Sequence, residues 1–321
     1  MTAYFIVDTK FKPVICLMGP TACGKTQCAI DLLSYFDLEI ISVDSAMIYR
    51  GMDIGTAKPS PLTLKQAPHR LINTHDPSEV YSAAEFRSDA INAIDAILNQ
   101  GRIPLLVGGT MLYFHVLQQG IDALPAANFT IRQQLKTEQA TLGLKKLHER
   151  LSVIDPIAAQ RIHPHDSQRI FRALEVAQLS GNSLTALQTT SSNTLPYYFI
   201  NIALFPNDRY RLHQTIADRF QTMLAQGFLE EVETLFKRDD LHTDLPAIRT
   251  VGYRHLWNYL QGTFSYAHMK DRAIIATRQL AKRQLTWLRS WKTLNTFACY
   301  ESDTTKKMVH LIKTNLKNAN F

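Results

Sequence analysis

Residues 19–26 read Gly19-Pro20-Thr21-Ala22-Cys23-Gly24-Lys25-Thr26 and follow directly on the apolar run Val14–Met18. A G-x-x-x-x-G-K-[ST] run between a strand and a helix is suited to cradling phosphate. Gly19 and Gly24 let the backbone bend so that its N–H groups converge on an anion. Lys25 adds a positive charge, and Thr26 offers a hydroxyl to a magnesium ion. Gln27–Leu33 has a helical pattern, so a positive helix N-terminus faces the same anion. A Gly-rich turn that only reversed the chain would leave Lys25 and Thr26 without a purpose. The run does not say whose phosphate it holds.

Asp44 ends a second apolar run, Leu38–Val43. A carboxylate at a strand end can act as a base or hold magnesium through water, or it can merely start a turn. Ser45, Tyr49 and Gly55-Thr56-Ala57-Lys58 form a polar stretch with reach for a second substrate. A third apolar run, Ile103–Val107, leads into Gly108-Gly109-Thr110. Many phosphate-loop hydrolases carry an acid there to hold magnesium. Its absence speaks against a motor or switch and leaves Thr26, Asp44 and Thr110 to organise the ion and substrate.

Residues 272–300 contain no Asp or Glu but hold Arg272, Arg278, Lys282, Arg283, Arg289 and Lys292, with Trp287 and Trp291 between them. Arg278, Lys282 and Arg289 share one helix face. A basic stripe with aromatics suits a nucleic-acid backbone; the tryptophans read as core anchors. A second cluster comprises Arg161, His163, His165, Arg169 and Arg172. His163-Pro164-His165 lacks a third ligand at a fitting distance for a metal. Arg249-Thr250-Val251-Gly252-Tyr253-Arg254 could grip a backbone or stack on a base, or be a surface turn.

These residues need a scaffold. The three apolar runs read as strands, and Ala83–Asn99 reads as a helix with apolar positions Ala84, Phe86, Ala90, Ile91, Ile94 and Ile97. Strands alternating with helices imply a parallel sheet covered on both faces, with ligands at the carboxyl ends of the strands. The phosphate loop, Asp44 and Gly108–Thr110 should therefore meet at one crevice. From Pro125 the pattern turns helical: Ile131–Leu142, Leu144–Val153, Pro156–Ile162 and Gln168–Leu179. The Ser/Thr-rich stretch Gln188–Thr194 reads as a loop, a strand returns at Tyr197–Phe205, and Asn207–Phe321 reads as mostly helical, ending in an amphipathic Lys306–Lys317. The expected fold is α/β: a P-loop NTPase-like parallel sheet core with helices on both faces (1–124 and 196–321) plus an all-helical insertion domain (125–195).

The 321 residues suffice for a large core plus a second domain. A net charge of +7 favours a polyanionic partner. Cys16, Cys23, Cys28 and Cys299 form no C-x-x-C pair, which suggests a reduced, cytoplasmic setting. The apolar patch Tyr4–Val7, cut by Asp8, is too short for a signal peptide or a membrane span, so no membrane partner is expected.

Taken in order, several segments resemble bacterial tRNA dimethylallyltransferases: 19–26, Ile41–Ser45, Tyr49–Pro59, Pro68–Leu71, Leu106–Thr110, Gln168-Arg169, Arg172–Glu175, Arg249–Arg254, Thr277–Gln284 and Thr286–Arg289. The resemblance runs from about Pro13 to Trp291. It implies transfer of a dimethylallyl group from its diphosphate to N6 of the adenosine next to the anticodon, so the phosphate loop would hold an isoprenoid diphosphate. On this resemblance residues 19–26 bind the diphosphate, and Thr21, Lys25 and Thr26 hold it with its Mg2+. Asp44 accepts a proton or hydrogen bond from the adenine amine, Thr110 lines the reaction channel and Arg219 clamps the diphosphate. The resemblance further implies tRNA contacts at Asp44-Ser45-Ala46-Met47, Thr110, Arg132, Gln168-Arg169-Ile170-Phe171-Arg172, Arg249-Thr250-Val251-Gly252-Tyr253-Arg254 and Lys282-Arg283-Gln284-Leu285-Thr286-Trp287-Leu288-Arg289. The partners it implies are the tRNA anticodon stem-loop and dimethylallyl diphosphate, with a monomer as the acting form. Cys23 departs from the Ser of many relatives, which is expected to leave the loop's shape intact and to expose it to oxidation. Phe171 is bulkier than its counterpart in some relatives, and the segment before Phe11 has no clear counterpart. A P-loop nucleotide or small-molecule kinase, or an ATP-binding nucleic-acid binder without transfer chemistry, remains the alternative.

Overall fold

Four short apolar runs and two weakly patterned segments build one six-stranded sheet in the computed structural model, which describes residues 12–122, 124–188 and 195–318. The strands are β1 (Lys12–Met18), β2 (Leu38–Val43), β3 (His69–Arg70), β4 (Ile103–Gly108), β5 (Tyr197–Pro206) and β6 (Asn295–Cys299). They pair in the order β3-β2-β4-β1-β5-β6, all parallel. Alternate side chains feed two cores. Val14, Cys16, Met18, Ile41 and Leu106 face one; Ile15, Leu17, Ile40, Leu105 and Val107 face the other. Both faces are covered, as parallel sheets require.

The first core is closed by α3 (Ala83–Leu98) and α4 (Met111–Gln119), with helices from late in the chain. The second takes α1 (Lys25–Leu33) and α14 (Thr304–Asn318). The short α2 (Pro61–Gln66) starts on the Ser60 cap. The helix α3 starts on a capping box between Ser82 and Glu85, which satisfies backbone donors at its first turn.

The chain divides into two compact units, Met1–Gln118 with Leu195–Phe321, and Gln119–Thr194. The second contains α5 (Phe129–Leu142), α6 (Leu144–Ile154), α7 (Pro156–Arg161), α8 (Ser167–Ser180) and α9 (Leu184–Leu187). Its core comprises Leu135, Leu147, Leu151, Ile170 and Leu174. After β5 the first unit adds α10 (Arg209–Ala225), α11 (Phe228–Phe236), α12 (Tyr253–Leu260) and α13 (Tyr266–Arg289).

Some details depart from expectation. β3 and β6 carry no clear sequence signal. β6 is an edge strand whose first residues, Asn295 and Thr296, are exposed, so it needs little apolar pattern. In α3 the buried stripe runs through Phe86, Ala90, Ala93, Ile94 and Ile97. Ala84 is exposed because it lies about 200° around the helix from Phe86. Trp291 falls beyond the Ser290 cap of α13, so the helix does not carry both tryptophans. The apolar patch at 4–8 and residues 189–194 of the Ser/Thr-rich stretch lie outside the described residues. Among the described residues no helix is long and apolar enough to cross a membrane.

Candidate active site

Sheet register brings three strand ends level. Gly108 of β4 stands opposite Met18 of β1 on one side and Val43 of β2 on the other. The phosphate loop leaves β1, Gly109-Thr110 leaves β4, and Asp44 leaves β2. A β-carbon on Gly108 would lie 2.0 Å from the Val43 carbonyl oxygen, so no side chain fits at position 108 itself. The packing of β2 against β4 therefore keeps position 108 a glycine.

The phosphate loop turns through left-handed backbone at Ala22 (φ 66°) and Gly24 (φ 76°). Gly24 caps α1 without a side-chain hydrogen bond, which leaves the first-turn N–H groups free of a competing side-chain acceptor. Lys25 folds back over the loop, its Nζ donating to the Pro20 carbonyl at 2.7 Å. Burial pulls the Lys25 pKa down to about 8, with Arg219 adding to the shift and Cys23 and Asp44 opposing it. Tyr300 donates its hydroxyl to the Ala22 carbonyl at 2.9 Å. The Cys23 and Cys299 sulfurs are 2.9 Å apart, both buried and both free thiols. The Cys23 thiol pKa is raised, first by its bond to Cys299 and then by burial.

On the facing side, Asp44 Oδ1 accepts the Ala46 N–H at 2.9 Å. The Ser45 N–H donates to Thr110 Oγ1 at 3.1 Å, and the Thr110 N–H donates to the Val43 carbonyl at 3.2 Å. The Asp44 turn and the loop after β4 are thus hydrogen-bonded to each other.

A cavity of about 810 Å³ opens between these loops. Thr21–Thr26, Asp44–Met47, Gly108–Thr110 and Arg219 line its polar part, and Ile216, Phe220, Met223, Phe228, Leu280 and Trp287 form an apolar wall. Burial lowers the Arg219 pKa while the Asp44 carboxylate raises it, which places their charges in mutual range. The lining thus combines groups that suit an anion with side chains that suit a hydrocarbon.

Sequence reasoning missed Glu231 and Phe228, which shape the neighbouring loop, and read Lys58 for its reach toward a substrate rather than for the protein partners it holds. Glu231 of α11 accepts the N–H groups of Asp53, Ile54 and Gly55 at 2.9, 2.8 and 3.2 Å, and the Tyr253 hydroxyl as well. Lys58 reaches the Tyr49 carbonyl, Asp53 and Asn73 at 2.8, 2.6 and 2.6 Å. Gly55 admits the Phe228 ring, which would lie 2.0 Å from a β-carbon there. No local pattern could have linked Glu231 to a loop so distant in the chain.

The residues read as RNA contacts separate by exposure. Lys282, Arg283, Thr286 and Arg289 of α13 are exposed, as are Arg249, Arg254 and Ser45. Met47, Thr250, Val251, Leu285 and Trp287 are half-buried, and Ala46 and Gly252 are buried. Tyr253 and Leu288 are enclosed in the core of the first unit, and Ile170 in that of the second. Their side chains present almost nothing to solvent. The Gln284 amide is buried and spent on protein partners: its Oε1 accepts the Thr21 N–H at 2.9 Å and its Nε2 donates to the Gly109 carbonyl at 2.8 Å.

In the helical unit Gln168 and Arg169 are exposed and Phe171 is half-buried. Arg132 and Arg172 converge on the fully buried Glu175, at 2.9 and 2.8 Å. Burial opposes the Glu175 charge, but the two guanidinium groups and the Asn128 N–H outweigh it and hold its pKa below the usual range. The two arginines therefore have a structural task within this unit.

The sequence and fold both match known proteins. A family model described as IPP transferase matches residues 47–291. Over 96% of this chain and 98% of the other, the fold matches a tRNA isopentenylpyrophosphate transferase from Bacillus halodurans at 33% identity and a TM-score of 0.71. A tRNA delta(2)-isopentenylpyrophosphate transferase from Staphylococcus epidermidis matches at 30% identity and a TM-score of 0.68, over 95% and 99% of the two chains. A eukaryotic dimethylallyltransferase acting on tRNA matches at 26% identity and a TM-score of 0.75, over 96% of this chain and 80% of that one. With residues 21–26 and Asp44 lining one cavity, and with these likenesses spanning nearly the whole chain, the protein belongs to the IPP transferase family.

Proposed function

We propose that this protein transfers the dimethylallyl group of dimethylallyl diphosphate to N6 of the adenosine next to the anticodon of tRNA. The observation that carries the reading is a single cavity with an anion cradle and Lys25 on one side, Asp44 on another and an apolar wall between α10 and α13. A diphosphate with a five-carbon tail matches that division of surface. The family and the relatives' activity on tRNA support the same substrates. A kinase reading leaves the apolar wall without a role.

In this mechanism the carbon–oxygen bond to the diphosphate breaks as the carbon–nitrogen bond forms. The leaving diphosphate gathers negative charge, which the loop N–H groups, Lys25 and Arg219 stabilise. Asp44 accepts the proton that N6 loses, which strengthens a weakly basic amine as a nucleophile. Thr110, bonded to Ser45, holds the Asp44 turn in place. The half-buried Trp287 and the apolar wall keep water from the allylic carbon.

Magnesium fits the donor set here. The Thr26 hydroxyl and the Asp44 carboxylate share the cavity, and among the described residues no cluster of three or more His, Cys, Asp or Glu could bind a metal without substrate. Magnesium commonly takes few protein ligands and completes its shell with phosphate oxygens and water. When bound it neutralises charge on the departing diphosphate. The exposed Lys282, Arg283 and Arg289, with Arg249 and Arg254, are assigned to the RNA backbone. Gln168 and Arg169 are the proposed contacts from the helical unit. The acting form is a monomer working in the cytoplasm.

The test is the mass of an anticodon stem-loop RNA after incubation with magnesium and either dimethylallyl diphosphate or ATP. The expected result is a gain of one five-carbon unit on the adenosine after the anticodon, absent in Asp44→Ala. Phosphate transfer or release from ATP, with no gain from the prenyl donor, would establish the kinase or ATPase reading instead.

A further inference from the structure

The cavity has two working sides that arrive on different strands, and one side chain from a third element joins them. Gln284 projects from α13 to a point where its amide oxygen takes the Thr21 N–H and its amide nitrogen gives to the Gly109 carbonyl. Thr21 belongs to the phosphate loop. Gly109 precedes Thr110, which bonds the Ser45 N–H beside Asp44. Hydrogen bonds at Thr21, Gln284 and Gly109, then the Gly109–Thr110 peptide and the Thr110–Ser45 bond, therefore link residues 19–26 to the Asp44 turn.

The fit is close on every side. Gln284 is only 8% exposed. A β-carbon on Gly109 would lie 2.5 Å from the Gln284 amide nitrogen and 3.3 Å from the Gly19 carbonyl oxygen. Gly109 must lack a side chain for the bridge to exist. A primary amide carries an acceptor and a donor side by side and keeps both at every pH, so it can accept from an N–H and donate to a C=O at once. The β1–β4 register sets how far apart the two loops start, but it ends at Met18 and Gly108. Beyond that level the spacing rests on contacts such as this one.

We propose, resting on the transferase reading, that Gln284 is a positioning residue: it sets the distance between the bound diphosphate donor and the acceptor amine held at Asp44. It touches neither reacting atom. Its loss should leave each substrate its own binding groups and disturb the alignment between them. A misplacement of about 1 Å between reacting groups costs on the order of 100-fold in rate. The signature is a lower kcat with little change in either KM.

Two variants test this in the full-length protein. Gln284→Met keeps the volume but has no donor for the Gly109 carbonyl and only a weak acceptor for the Thr21 N–H. Its kcat should fall about 100-fold, while KM for dimethylallyl diphosphate and for the RNA each stay within about threefold. Gln284→Glu keeps the acceptor but sets a carboxylate against the Gly109 carbonyl. Once protonated, that carboxylic acid has the donor and acceptor of the native amide. The ratio of its kcat to that of the wild type should therefore rise as pH falls from about 8 to about 5. The charged groups lining the cavity, Lys25, Asp44, His69, Arg219, Arg249 and Arg283, are common to both proteins, so the ratio cancels their shared titration and keeps what the new carboxylate adds: its own protonation and its effect on these neighbours. A residue that only fills space would give no such recovery.

Hydrogen exchange on the peptide covering residues 19–26 gives a readout without turnover. Thr21 should exchange faster in Gln284→Met than in the wild type. An unchanged kcat in Gln284→Met, a raised donor KM at constant kcat, or a pH-independent Gln284→Glu ratio overturns the proposal. A wild type that transfers no prenyl group overturns the transferase reading, and with it the kinetic form of this proposal. In that case the exchange of Thr21 alone decides whether Gln284 holds the loop.

Discussion

The Ser45 N–H and the Thr110 hydroxyl, 65 residues apart in the chain, are joined at 3.1 Å across the ends of β2 and β4. This bond aims the Asp44 turn at the phosphate loop. Thr110→Val keeps the shape and removes the acceptor. We expect its kcat for prenyl transfer to fall by about 10- to 100-fold, with a thermal midpoint close to that of the wild type. Steady-state kinetics beside a melting curve separate the two effects.

Lys25 holds its charge in the cavity wall at a cost. Its pKa is lowered to about 8, so above that pH the folded protein releases a proton that the unfolded chain still keeps. Folded stability attributable to Lys25 therefore rises with pH from about 8 until the lysine in the unfolded chain also deprotonates. Lys25→Met should melt higher than the wild type at pH 7, and the gap should narrow above about pH 8. In the same variant, diphosphate binding measured by calorimetry should be lost. In the wild type that binding should weaken as pH rises through about 8.

Glu231 organises residues 53–55 through three backbone N–H groups. Glu231→Ala leaves those donors and the Tyr253 hydroxyl without their acceptor. Urea titration should show a loss on the order of 3 kcal/mol. An unchanged midpoint would mean that the loop finds other acceptors.

The exposed α13 cations should act through phosphate. Lys282→Ala and Arg289→Ala should each weaken RNA binding across sequences and lower the slope of log affinity against log salt by about 1. Affinity measured at several salt concentrations tests this. Donor binding, read in the same variants, should not move.

Cys23 is packed against Cys299 with its thiol pKa raised. Maleimide at neutral pH should label it far more slowly in the native protein than in urea, because the thiolate is the reactive form. Fast native labelling, located by peptide mass, would contradict the buried pair.

Much of this was legible in order along the chain. Alternation of aliphatic runs with helical patterns marks the parallel sheet, because crossover helices must cover both faces. The spacing of Gly19, Gly24, Lys25 and Thr26 predicts a tight turn into a helix, and the backbone does turn left-handed at Ala22 and Gly24 into α1, because the bend is a local property. Asp44 and Gly108–Thr110 could be placed at strand ends from the runs that precede them. Gln284 could not be understood in the same way. It lies in an exposed-looking basic helix, among residues that do face solvent, and only the packing of α13 against two loops turns its amide inward. Tyr253 and Leu288 were read with their neighbours for the same reason. Glu231 and the Cys23–Cys299 contact depend on partners from other elements, and no short-range pattern encodes those pairings. Local chemistry, set by residue type and spacing, was determined by the sequence alone. The distances between the parts were decided by tertiary structure, because strand order, register and side-chain packing bring together residues that are remote along the chain.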